Sequence, residues 1–177
     1  MTIAFKPTAS STTIEQNGSA IATLDSTGLT MAAGKTIVGS GVGKVLQVLQ
    51  STVSGTISTT STSNVSSGLT QSITPSSASN KILLMVSGGK AYAASGGTVL
   101  VTAYRNGSSL GNAATSAPIE GAANGANHSL IYLDSPSSTS AVTYTIYYRS
   151  RTGNLAYFKD SDSLGGLVNL TLMEIAG

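Results

Sequence analysis

The chain has 177 residues, of which 9% are charged against the roughly 25% usual for soluble domains, and its formal net charge is +2. It has no cysteine, which excludes disulfides and thiolate metal sites. Its Lys and Arg residues are scattered without a basic run, so it lacks the electrostatic footprint of a nucleic-acid-binding protein. Ser, Thr, Gly and Ala fill the places that Lys and Glu normally hold; these residues weaken helices and suit strands and turns, and the fold class reads as all-β.

An apolar fraction of 40% and a mean hydropathy of +0.19 separate the chain from disordered tails that are also rich in Ser, Thr and Gly. Residues Met1 to Thr13 lack the apolar core of a signal peptide, and no stretch approaches the ~18 apolar residues of a membrane span. Neither export by the usual route nor membrane insertion is expected.

Residues 1–44 read as a stalk. Short apolar pieces around Ile14, Ile21, Leu24, Leu29, Met31, Ile37 and Val38 are separated by the turn signals Asn17-Gly18, Thr27-Gly28, Ala33-Gly34 and Gly39-Ser40-Gly41. Strands this short bury too little surface to offset about 1–2 kcal/mol of backbone ordering per residue, so the segment is expected to order only against another chain. It reads as an extended or β-stranded attachment and oligomerisation element.

Residues 45–177 read as a β-sandwich. Val45 to Thr52 forms the first long strand, and a Ser/Thr-rich run follows. Lys81 to Ser87 is an apolar run without alternation, which predicts burial on both faces. Val99 to Tyr104 enters a hairpin at Asn106-Gly107, where both residues tolerate positive φ. His128 to Asp134 leads into a Ser-Pro turn. Val142, Tyr144, Ile146 and Tyr148 alternate with Thr143, Thr145, Tyr147 and Arg149, with the first set facing the core. In the last strand Val168, Leu170 and Leu172 share one face, and the strand is expected to be central. About eight strands over about 130 residues predict a sandwich or jelly roll.

At Leu24 to Ile37 (LDSTGLTMAAGKTI) the chain is similar to the strand-turn ladders of trimeric phage fibres. Gly43 to Val48, Ser79 to Leu84, Tyr132 to Pro136 and Leu170 to Ile175 resemble a domain of marine phage fibre proteins. In this order along one chain, these segments resemble the short fibre and appendage proteins of tailed bacteriophages. The resemblance implies a homotrimeric jelly-roll head of the tumour-necrosis-factor or C1q type on a short stalk, a non-enzymatic virion protein whose partners are itself and other capsid or tail proteins. A tail fibre, a head fibre and a capsid decoration all satisfy it. A trimer would bury the outer faces of Lys81 to Val86 and Leu167 to Ile175 at the threefold axis. The rival class is a binding module for a host-surface glycan or protein.

Candidate chemistry is thin. Val38-Gly39-Ser40-Gly41-Val42-Gly43-Lys44-Val45 fails the phosphate-loop pattern, because Val38 stands where its first Gly belongs and Val45 where its hydroxyl belongs. It reads as a joint. His128, the single histidine, with Asp134 and a Ser supplies the residue types of a triad, but no nucleophile-elbow pattern surrounds any Ser, and the histidine reads as a loop or strand-end residue. Asp160 and Asp162 offer too few oxygens for calcium and read as a solvated loop, and Glu120 stands too far away in sequence to join them. Glu174 at a trimer axis would need a Lys or Arg from a neighbour. Catalytic, cofactor-binding and metal residues are therefore expected to be none, with no cofactor. Tyr144 and Tyr148 should face inward, leaving Tyr92, Tyr104, Tyr147 and Tyr157 for a surface site. The Asn-x-Ser/Thr triplets at Asn17, Asn64, Asn106, Asn127 and Asn169 follow from composition.

Overall fold

The computed structural model describes residues 3–33, 44–93, 97–111, 125–160 and 166–177, together with the backbone of 119–120. Every regular element among them is a strand, as the composition predicts, and the chain divides into two compact units, Met1–Val42 and Gly43–Gly177.

The first unit is an antiparallel meander of β1 (Ile3–Pro7), β2 (Ser11–Gln16), β3 (Ser19–Asp25) and β4 (Gly28–Met31). Asn17 and Gly18, with φ of 49° and 81°, make the tight β2–β3 turn, and the Asp25 carboxylate accepts the Thr27 amide to set the turn into β4. The ladder register sorts the side chains cleanly. Phe5 lies opposite Ile14, Ile14 opposite Ala22 and Ala22 opposite Met31; Pro7, Thr12, Leu24 and Leu29 form the next row. Lys6, Thr13, Glu15, Thr23 and Thr30 occupy the other face, where Lys6 Nζ stands 2.7 Å from Glu15 Oε2. The strands therefore ladder on one another, yet Ala22 is the one apolar side chain of this unit among the described residues to be buried.

The second unit is a β-sandwich. Its strands are β5 (Val45–Val53), β6 (Ile57–Thr59), β7 (Val65–Ile73), β8 (Lys81–Ala93), β9 (Thr98–Arg105), β10 (Ser108–Ser109), β11 (Ile119–Glu120), β12 (Ala126–Asp134), β13 (Val142–Ser150), β14 (Ala156–Lys159) and β15 (Val168–Ile175). One sheet runs β5-β15-β8-β14-β6 with β12 also on β8, and the other runs β10-β9-β13-β7 with β11 also on β9. Because β12 and β15 both ladder with residues 82–88 of β8, they occupy its opposite edges, and β15 is central. Four of the pairings nest: β5 with β15, β7 with β13, β8 with β12 and β9 with β11.

The core follows from alternation. Ile82, Leu84, Val86, Leu130, Leu170 and Leu172 from one sheet meet Leu69, Ile73, Val99, Val101, Tyr144, Ile146 and Tyr148 from the other. Phe158 joins this core, its ring against those of Tyr148 and His128. In β8 a double glycine changes the phase: Gly88 and Gly89 have φ of 84° and 65°, and inward positions switch from Ile82, Leu84 and Val86 to Ala91 and Ala93. A Cβ at Gly89 would collide with Val168 Cγ2, and one at Gly88 with the Leu167 carbonyl, so the bulge needs glycine sterically as well as conformationally.

Three expectations need correction. The sandwich has eleven strands rather than about eight, because β7 lies inside the Ser/Thr-rich run and β6, β10 and β11 are ladders of two or three residues. Lys81 to Ser87 is not buried on both faces within one chain: Ile82, Leu84 and Val86 are buried, whereas Leu83 and Met85 are half-exposed. His128 is neither in a loop nor at a strand end; it lies inside β12 and points into the core.

Candidate assembly interface

The outer face of the β5-β15-β8-β12 sheet is the most unusual surface of the sandwich. Register places Val48, Met173, Leu83 and Leu133 in one row across four strands, and Met85 and Ile131 beside each other in the next. Val48 is 54% exposed, Ile131 64% and Leu133 48%. The second row is completed by Gln50, whose amide donates to the Thr171 hydroxyl, and the third row is held by the Thr52–Asn169 hydrogen bond. No charged residue occupies these three rows; Lys81 stands one row beyond, opposite Ile175. Single exposed apolar side chains are ordinary, but a row spanning a sheet is not.

Beneath this sheet, the inward series Val168, Leu170, Leu172 ends in Glu174, a buried carboxylate. Burial alone would raise its pKa. Hydrogen bonds from Asn80 Nδ2 at 2.6 Å, Gln47 Nε2 at 2.6 Å, and the Ser76 amide and hydroxyl at 2.7 and 2.8 Å overcome that and hold it down at about 2. The expected Lys or Arg partner is thus replaced by neutral donors of the same chain, and Glu174 faces the sandwich interior rather than the outer face. The cage ties the 74–80 turn to β5 and β15, with Gln47 also donating to the Thr74 carbonyl.

The residues of the conceivable triad are engaged elsewhere. His128 Nε2 lies 2.6 Å from the Phe158 carbonyl, which only accepts, so Nε2 carries the proton and the buried Nδ1 is bare, without a partner among the described residues. Burial lowers the pKa of this imidazole below the usual 6.5, and the Phe158 carbonyl, which favours the charged ring, opposes that only in part. Asp134 receives Arg105 Nη1 at 2.9 and 3.0 Å and the Tyr144 hydroxyl at 2.6 Å. Burial, then the Asp134 carboxylate, raises the Tyr144 hydroxyl far above its ordinary range and keeps it a donor.

Asp160 pairs with Lys90 at 3.6 Å. Among the described residues no group of three His, Asp or Glu side chains is placed to hold a metal. Residues 38–43, Asp162 and the Glu120 side chain lie outside the described set. The tyrosines divide as the alternation predicts for Tyr144 and Tyr148, which are buried. The four named for a surface site pair up: Tyr104 and Tyr147 with ring centroids 4.1 Å apart, Tyr92 and Tyr157 at 5.8 Å.

The opposite outer face, on β7, β13 and β9, is hydroxylated. Ser72 and Thr143 Oγ atoms lie 2.7 Å apart, Thr70 and Thr145 Oγ1 atoms 3.0 Å apart, and Asn64 Nδ2 donates to the Tyr104 hydroxyl at 2.9 Å. No protein-family model matches the chain, and no curated protein matches it significantly.

Proposed function

We propose that the chain is a non-enzymatic virion structural protein of a tailed bacteriophage, a homotrimeric fibre, appendage or capsid decoration fixed by its N-terminal unit, with the sandwich projecting as a jelly roll. The observation that carries the assembly reading is the charge-free row Val48, Met173, Leu83 and Leu133 with Met85 and Ile131 beside it. Burial of apolar surface there drives association at roughly 25 cal/mol per Å² removed from water. The nested pairings support the jelly-roll reading, since a long hairpin rolled into two sheets pairs its first strand with its last and so on inward. The engagement of His128 and Asp134 in core contacts supports the non-enzymatic reading.

Light scattering coupled to size exclusion on the full chain tests it: three copies per particle are expected, and a monomer at micromolar concentration overturns the assembly. Labelled antibody against the chain should decorate the surface of intact phage particles; particles that lack the chain overturn the virion reading.

The tyrosine-bearing hydroxylated face favours a second role for the same protein, recognition of a host-surface glycan. Tyr147→Ala is expected to abolish saturable binding on a glycan array while leaving the oligomeric state unchanged. Binding that survives this change removes the Tyr104–Tyr147 pair as its site.

A further inference from the structure

The apolar side of the N-terminal meander has no cover within its own unit. Ile3, Phe5, Leu24 and Leu29 are exposed large hydrophobics, and register gathers Phe5, Ile14, Ala22 and Met31 with Pro7, Leu24 and Leu29 on that one face. The other face carries the Lys6–Glu15 ion pair and a set of threonines, which marks it as the solvent side. A sheet with one dry face and no second layer has no core of its own.

We propose that this face is a self-association surface, covered by the same face of other copies of the chain, with the Lys6–Glu15 face turned outward. Two observations select the occupant. The face carries no charge, so its complement is also charge-free, and the face itself supplies that complement. Its size matters too. Four strands about 4.8 Å apart and five residues at about 3.4 Å each span roughly 300 Å², well below the roughly 800 Å² per partner of a stable two-body interface. An unrelated partner would be held by that area alone. Copies of this chain are already joined through their sandwiches on the reading above, on which this inference rests, so the meanders meet at high effective concentration and a small area suffices. The N-terminal unit then oligomerises through its apolar face, and attachment to another virion protein falls to its polar face or strand edges.

The absence of cysteine makes the test clean. In a single chain Phe5 is 68% exposed and the Lys6 side chain 63%, so thiols placed at the two positions should react alike unless another molecule covers one of them. Phe5→Cys and Lys6→Cys full-length proteins are treated with N-ethylmaleimide at concentrations where light scattering shows trimers. At least tenfold slower modification of Phe5→Cys is expected, with Leu29→Cys slowed likewise. Equal rates in a chain that is still trimeric overturn this inference and leave the sandwich assembly standing, including the case in which a different virion protein covers the face. A monomeric chain overturns both. If Phe5→Cys itself dissociates the trimer, Leu29→Cys against Lys6→Cys decides.

Discussion

The two outer faces of the sandwich have the same strand geometry and opposite chemistry. On β5, β15, β8 and β12 the outward positions include Val48, Met173, Leu83, Leu133, Met85 and Ile131, beside Gln50, Thr171, Thr52 and Asn169; on β7, β13 and β9 they include Ser66, Ser72, Thr70, Thr143, Thr145, Thr102, Tyr147 and Tyr104, beside Leu100 and Arg149. Both sheets alternate, and both bury their inner positions in one core. What separates them is that one outer face is tied together by hydroxyl pairs, whereas the other carries an apolar row across four strands beside its Gln50–Thr171 and Thr52–Asn169 hydrogen bonds. Fold stability is therefore shared between the sheets, and the assembly we propose rests on one of them.

The largest effect should come from the shared interior, where the two faces do not differ. Leu172→Ala is expected to cost about 2–5 kcal/mol through lost burial and the cavity left behind, independent of protein concentration, as read by urea denaturation. A concentration-dependent loss would place Leu172 in an interface and break the distinction between inner and outer positions.

Glu174 sharpens it next. Glu174→Ala strands the Asn80, Gln47 and Ser76 donors and should cost about 1–3 kcal/mol. Because the folded pKa of Glu174, about 2, lies below the ordinary 4.5, the folded state holds its proton less tightly than the unfolded one. The stabilisation is complete above about pH 4.5 and is lost as pH falls toward 2. Glu174→Gln should flatten the denaturation midpoint across that window. His128, whose pKa is lowered by burial, contributes stability that is present above pH 6.5 and declines below it, so His128→Gln should remove the part of the pH slope just beneath 6.5. An unchanged slope in either variant contradicts the corresponding burial.

The outer faces give the smallest and most diagnostic changes. Ile131→Thr should lower the thermal midpoint at concentrations that hold the assembly, by the equivalent of about 1 kcal/mol per copy, and leave it unchanged when the chain is dilute. Thr70→Ala, which breaks one hydroxyl pair on the other face, should stay within about 0.5 kcal/mol at every concentration.

Much of this was legible in the sequence where one face is apolar and the other polar. Val142 to Arg149 announces its inward set by alternation, and Asn106-Gly107 announces its hairpin because both residues sit at positive φ, 48° and 80°. Strand β7 was obscured because its inward positions include Ser67 and Gln71 among Leu69 and Ile73, and Gly68 adds a bulge at a register shift against β13. His128 misled because its partner, the Phe158 carbonyl, is backbone and 30 residues away. The cage around Glu174 draws on residues 94 to 127 positions distant, which no local pattern reports. The signal that did exist was the alternation itself, since the series Val168, Leu170, Leu172 continues inward to Glu174. For β8, lack of alternation showed that both faces are apolar, but which face meets the core is a property of the whole sheet.

The central claim is that the apolar outer face, and not the hydroxylated one, joins the copies. Light scattering of the Leu133→Lys/Met173→Lys double variant beside Thr145→Lys, with circular dichroism to verify strand content, tests it most directly. The account predicts a folded monomer for the first and a three-copy particle for the second. A double variant that remains three-copy, or a Thr145→Lys protein that falls apart, would contradict it.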